Sequence, residues 1–277
     1  MKRARQENTL INFDPSFAPL TREKKGAWGG LKEKEGISTG AGTAKTKTSN
    51  SGSLHDFWVP PSVALSSRDM ATQLELLDGQ MTVVGSDEGG GGYRMVRATH
   101  GVHDGAYFWE AQILPTTTVS DEGEAPHVRL GWSTRMGELQ APVGYDKHSY
   151  GYRDMAGSKV NNSIRLDHYG EAFGPGDIIG CYLRLCQADS SKNEIRFFKN
   201  GKDQGMAYKE IPSGIFFPAV SLFKAAKVRV NFGPSFILPY DLYGANAVSE
   251  VQPMSPEDRK VHEQRIADIR ASITVSE

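Results

Sequence analysis

The sequence predicts an all-β sandwich, and three observations carry that reading. Between residues 74 and 236 the apolar residues fall into short runs separated by turn signals every 8–15 residues, the pattern of many short strands in two packed sheets. Several runs alternate apolar and polar residues, the period of two that sends successive side chains to opposite faces of a strand. No rhythm of strand, helix and strand appears, which removes doubly wound and α/β-barrel folds.

The expected strands lie at roughly 73–77, 80–84, 93–98, 107–114, 127–133, 178–186, 194–199, 205–208, 216–223 and 226–232. At 178–186, Ile179, Cys181, Leu183 and Leu185 share one face, and Tyr182 and Arg184 take the other. Near the end, Val228, Val230 and Phe232 form an apolar face against Arg229 and Asn231. Between 194–199 and 205–208 stands Asn200-Gly201, a strong hairpin signal because both turn residues must reach positive φ. The four glycines at 89–92 open no helix, so a phosphate cradle is excluded and a flexible hairpin loop is expected.

The ends differ from this core. Residues 1–52 hold ten Lys/Arg against five Asp/Glu, net +5, whereas 53–277 hold 22 against 28, net −6. Residues 1–53 therefore read as a basic, largely disordered arm with few apolar residues, Phe13, Phe17 and Trp28 among them. Lys2, Arg3, Arg5, Lys24 and Lys25 are its candidates for sequence-independent contact with DNA phosphates. Residues 54–239 form the sandwich domain and 240–254 a linker. A C-terminal amphipathic helix follows over 255–274: Ser255 caps it, Pro256 takes the first position and Glu257 and Asp258 fill the first turn. Val261, Ile266, Ile269 and Ile273 make a stripe suited to a partner's helical groove or to the sandwich itself.

Chemical motifs are weak. GISTG at 36–40 has the nucleophile-elbow spacing but sits in low-complexity sequence, without the strand and helix the elbow needs. Seven histidines are scattered with no ligand set at metal spacing. Cys181 and Cys186 sit at an odd spacing and read as reduced thiols. Asp146, His148 and Ser149 crowd one loop too closely for a triad, and Asn161-Asn162-Ser163 is a glycosylation sequon without a secretory signal before it. No cofactor, metal or catalytic set is expected, and no run of about 18 apolar residues spans a membrane.

What remains is 129–153, RLGWSTRMGELQAPVGYDKHSYGYR, which gathers arginines, three tyrosines and a proline on a segment too broken for a helix. Arginine pairs bidentately with carboxylates, and tyrosine offers large contact area with a hydroxyl at its tip. Both are enriched where binding energy concentrates. Trp132, after Leu130 on a strand, is expected in the core, and Arg129 and Arg153 at the surface.

The ordered series YFWEAQIL, VRLGWST, YGYRDMAG, GDIIGCYLRL, EIRFFKNGKDQGMAY, FFPAVSLF and VNFGPSF resembles the SPRY domain, a β-sandwich of protein recognition. Within it, GYRMVRATHGV at 92–102 and LQAPVGYDKHSYGYR resemble the Ash-two-like subunit of SET-domain histone methyltransferase complexes, over about residues 72–239. The resemblance implies a non-catalytic, nuclear scaffold. Its loops would bind an acidic segment of a β-propeller subunit and help stimulate a SET-domain subunit. The peptide-binding residues it implies are Tyr93, Arg129, Pro142, Tyr145 and Arg153. It also implies that the C-terminal helix enters a small dimeric subunit of the Dpy-thirty type. The zinc-finger module of the animal relatives has no counterpart here, so the chain reads as closer to the fungal Bre-two type, and QADSSK is a short connection where relatives carry an insertion. The alternative is a SPRY substrate receptor, for example in a ubiquitin ligase.

Overall fold

Each alternating run becomes a strand because burying one face removes its apolar side chains from water while the backbone groups pair sideways. The computed structural model describes residues 62–86, 91–116, 125–251 and 264. The strands are β1 (Leu65–Met70), β2 (Glu75–Leu77), β3 (Thr82–Val84), β4 (Arg94–Ala98), β5 (Gly105–Leu114) and β6 (His127–Ser133). They continue with β7 (Ser149–Arg153), β8 (Lys159–Asn161), β9 (Ile164–Leu166), β10 (Ile178–Leu185) and β11 (Glu194–Lys199). The last are β12 (Lys202–Lys209), β13 (Phe217–Phe223), β14 (Lys227–Asn231) and β15 (Asn246–Ala247). One sheet, here the first, has the order β1-β4-β13-β6-β7-β8-β9; the second runs β12-β11-β10-β5-β14-β3-β2, with β15 pairing beside β5. Both place late strands between early ones, so pairing is set by long-range contacts.

The core lies between the sheets. Ile179, Cys181, Leu183 and Leu185 from β10, with Val228, Val230 and Phe232, enter it as their alternation requires. So do Trp132 and Tyr150. Trp109 of β5 meets Trp132 of β6 edge to face across the interface, ring centroids 6.4 Å apart, a geometry worth about 0.5–1.5 kcal/mol beyond burial. Asn200 and Gly201 both take positive φ, and Lys199 faces Lys202 across the β11–β12 hairpin. Cys181 is buried, Cys186 half-buried, and both are free thiols.

Two expectations change. The glycine-rich stretch, of which 87–90 lie outside the described residues, joins β3 to β4, which belong to different sheets; it is a crossover and not a hairpin. The segment expected as a linker from 240 onward is folded onto the second sheet as far as Val251. Tyr240, Leu242 and Ala245 pack on Phe108, Tyr182 and Phe198, β15 pairs with β5, and Val248 is buried. Glu110, fully buried, anchors this strap by accepting bonds from the Ile237 N–H (2.6 Å), Tyr240 hydroxyl (2.8 Å) and Asn231 amide (2.7 Å). The sequon runs from the last residue of β8, Asn161, into the two-residue turn of the β8–β9 hairpin, where Asn162 and Ser163 both have positive φ.

The basic arm, with Lys2, Arg3, Arg5, Lys24 and Lys25, and the stripe Val261, Ile266, Ile269 and Ile273 lie outside the described residues. Gln264 is helical.

Candidate functional site

Strand register builds the site. In the first sheet Met95, Ser221, Arg129 and Arg153 stand side by side on β4, β13, β6 and β7. The next row on that face is Arg97, Ala219, Gly131, Gly151 and Val160. Their chain neighbours Val96, Val220, Leu130 and Tyr152 point into the core, so these two rows face outward.

That outward face is not open. The loop 134–148 folds over it. The Met95 N–H donates to the Leu139 carbonyl (2.9 Å), and the Val143 N–H donates to Ser221 Oγ (2.9 Å). Val143 packs with Met95 and Ala219. Gly151 makes this approach possible, since a Cβ there would stand 2.8 Å from the Val143 carbonyl oxygen. Arg129 and Arg153 are therefore buried, at 0% and 9% exposure, and not the surface residues expected. The cover comes from a loop that only the tertiary fold brings there.

Two like charges now stand directly opposite on neighbouring strands, an arrangement that costs stability. The Arg129 guanidinium lies over the Tyr93 ring, 4.7 Å from its centroid, a favourable stacking of cation on π-face. Tyr93 packs on Phe223 at 5.4 Å, His127 stacks on the same Phe223 at 6.1 Å, and Lys224 Nζ approaches it at 5.6 Å. Arg153 Nη2 donates to Met155 Sδ at 3.0 Å. Burial pushes the Tyr93 phenol above its ordinary value, against the pull of Arg129 and Arg153, so it stays a neutral hydroxyl. Asp154, next to Arg153, is occupied locally: it accepts from His127 Nδ1 (2.9 Å) and from the Val128 (3.1 Å) and Met155 (2.8 Å) N–H groups.

Of the five candidate residues, Tyr93, Arg129 and Arg153 form one cluster, and buried Pro142 directly precedes the Val143 that covers it. Tyr145 stands on the return of the loop. Its N–H donates to the Pro142 carbonyl (3.0 Å), and its carbonyl accepts from the Ser163 hydroxyl (2.7 Å) of the β8–β9 turn. Asp146, His148 and Ser149 build the same return: Asp146 Oδ1 accepts the His148 N–H (2.8 Å), and Ser149 Oγ accepts the Gly144 N–H (2.8 Å). They shape a turn and form no nucleophile–base pair.

The loop's other root is fixed by a different arginine. Arg97, also buried, makes a two-pronged contact with Asp69 (2.9 and 2.7 Å) and donates to Ser133 Oγ (3.2 Å) and to the Thr134 (3.0 Å) and Gly137 (2.8 Å) carbonyls. Arg135 adds a third prong to Asp69 at 2.6 Å. Sequence reasoning missed this network, and it missed Phe223 and His127, although the alternation of FFPAVSLF places Phe223 on the outward face with Ala219 and Ser221. Among the described residues no group of three or more His, Cys, Asp or Glu side chains is arranged to hold a metal.

A loop-covered arginine pair thus lies on the outward face of the first sheet of a two-sheet sandwich. Residues 106–235 match the SPRY domain family. That segment is a SPRY domain, and the chain's likeness is to the Ash2 branch. It is 34% identical over 226 residues to the Set1/Ash2 histone methyltransferase complex subunit ASH2 of Drosophila melanogaster, covering 68% of this chain and 39% of that protein. It is 30% identical over 257 residues to subunit ash-2 of Caenorhabditis elegans, covering 76% and 42%. The chain thus spans about two fifths of the length of these curated relatives. The solved SPRY domain of human HERC1 is 20% identical, with 60% of this chain and 96% of that one covered and a TM-score of 0.48.

Proposed function

We propose that the chain is a non-catalytic, nuclear scaffold subunit of a histone-three lysine-four methyltransferase complex. Its SPRY socket would bind an acidic segment of the β-propeller subunit and so help hold the SET-domain subunit active. The observation that carries this is the opposed pair Arg129 and Arg153 beside Tyr93. Two buried guanidiniums side by side are stabilised by carboxylates, and the aromatic wall of Tyr93 and Phe223 suits an apolar side chain between those carboxylates. Pro142 and Tyr145 complete the rim. The identity to the fly and worm Ash2 subunits supports the same reading. The C-terminal stripe Val261, Ile266, Ile269 and Ile273 would enter a Dpy-thirty-type dimer, and the basic arm would touch nucleosomal DNA.

Reconstitution tests it. The lone chain, mixed with histone-three peptide and methyl donor, should give no turnover. Added to the propeller and SET-domain subunits it should raise their methylation rate, and Arg129→Met with Arg153→Met should remove that gain. Turnover by the lone chain, or full stimulation by the double variant, would sink the proposal.

A further inference from the structure

At the opposite end of β6 and β13 from the arginine pair lies a cleft of about 420 Å³. Thr134, which lines it, is five residues along the chain from Arg129, so at about 3.3 Å per strand residue the two places are about 17 Å apart. Tyr150, Ile215 and Phe216 give the cleft an apolar floor, and Arg135, Lys147 and His148 stand in its wall. No aspartate or glutamate lines it among the described residues, although the chain from 53 onward is net −6.

The floor does not stop at the cleft. Tyr150 faces Asn161 across β7 and β8, and Asn161 faces Ile164 across the β8–β9 hairpin. Ile164 and Leu166 therefore continue the same face onto edge strand β9, where they are 72% and 49% exposed. Two large aliphatic side chains held open at a sheet edge beside an apolar cleft mark a contact surface. The cations differ in how free they are. Arg135 is held by Asp69 and stacks over the Phe217 ring at 4.4 Å. Lys147 is exposed, and the carboxylate beside it, Asp146, accepts the Glu138 and His148 N–H groups. Burial keeps the His148 imidazole below its ordinary value, so near neutral pH it offers a hydrogen bond more than a charge.

We propose that this cleft, with Ile164 and Leu166 as its shelf, is a second docking site that takes an extended acidic peptide segment carrying one large apolar side chain. The apolar side chain would sit on Tyr150 and Phe216, and the flanking carboxylates would reach Lys147 and Arg135. The occupant is set by charge: a cationic wall without acids, over an apolar floor, rejects basic segments and favours acidic ones. The site stands apart from the socket of Arg129 and Arg153 and does not depend on it.

The test uses the full isotope-labelled chain and the synthetic peptide acetyl-Ser-Glu-Asp-Phe-Glu-Asp-Ser-amide, followed by backbone amide shifts. Saturable shifts are expected at 147–150, 161–164 and 213–216. Lys147→Glu should weaken binding about tenfold or more. Replacing the peptide's phenylalanine by alanine, or Ile164 by serine, should weaken it severalfold. Both substituted side chains are exposed, so folding is not at stake. Arg153→Met should leave these shifts in place. No saturable shifts at these residues, shifts confined to Tyr93, Arg129 and Arg153, or equal binding by the peptide's Asn/Gln version would overturn the proposal.

Discussion

Arg97 and Arg129 stand on the same face of the same sheet, both buried, and they do different things. Arg97 spends its guanidinium inside the domain, on Asp69, Ser133 and two carbonyls of the loop. It pins the root of 134–148. Arg129 lies over the Tyr93 ring with Arg153 directly opposite. The first arrangement ties a guanidinium to a carboxylate and to the loop backbone; the second sets a guanidinium over an aromatic ring with a second arginine opposite. Burial alone does not tell the two arrangements apart.

Breaking the first arrangement should have the largest effect. Asp69→Ala leaves Arg97 buried beside Arg135 without its carboxylate, and about 3–5 kcal/mol of stability should be lost in chemical denaturation. A loss below about 1 kcal/mol would put Arg97 in the same class as Arg129. At the Arg129–Arg153 pair the larger effect should be on affinity. Arg153→Met removes one of two opposed charges and keeps the apolar volume, so stability should change by less than about 1 kcal/mol. Affinity for the acidic segment should fall by about 2 kcal/mol or more.

Gly151→Ala probes the cover shared by both arginines. Its new Cβ meets the Val143 carbonyl at 2.8 Å, and lifting the loop should cost about 1–3 kcal/mol. If the socket needs the closed loop, affinity falls in the same variant; unchanged affinity would detach the loop from the socket.

The smallest effect is at high pH. Tyr152, Tyr169, Tyr208 and Tyr240 are all pushed above 10.0, chiefly by burial. A raised folded-state value means the contribution is complete below pH 10 and lost as pH rises through the folded values. Stability should therefore be insensitive to these groups up to about pH 10 and fall above it, with the tyrosinate absorbance of these four appearing together with unfolding. Their tyrosinate absorbance well ahead of unfolding, separated from that of the more exposed tyrosines by Tyr→Phe variants, would contradict their burial.

Much of the sandwich was legible in the chain. Runs such as IGCYLRL and VRVNF bury one face only, so a period of two survives in them. The strand β7 was missed because all five of its residues, SYGYR, are buried: the core takes one side and the loop the other, and no alternation remains. The β8–β9 hairpin hid because its turn is Asn162-Ser163, with positive φ but no glycine. The strap 240–251 has no strand pattern beyond two residues and is held by aromatic packing and Glu110, contacts at separations of up to 130 residues. The socket was half legible. Residue types pointed to Arg129 and Arg153, and the family resemblance to Tyr93. Their burial did not show, because the cover is fixed by Ser221 and Asp69, 78 and 28 residues from the atoms they bind.

The most direct measurement is calorimetric titration of the acidic propeller segment into the full chain, its Arg129→Met variant and its Arg153→Met variant, with thermal unfolding recorded on each. A partner socket predicts saturable binding to the parent chain, weakened about 30-fold or more in each variant, with unfolding midpoints nearly unchanged. Undiminished binding by variants that remain folded would contradict it, as would the absence of binding to the parent chain.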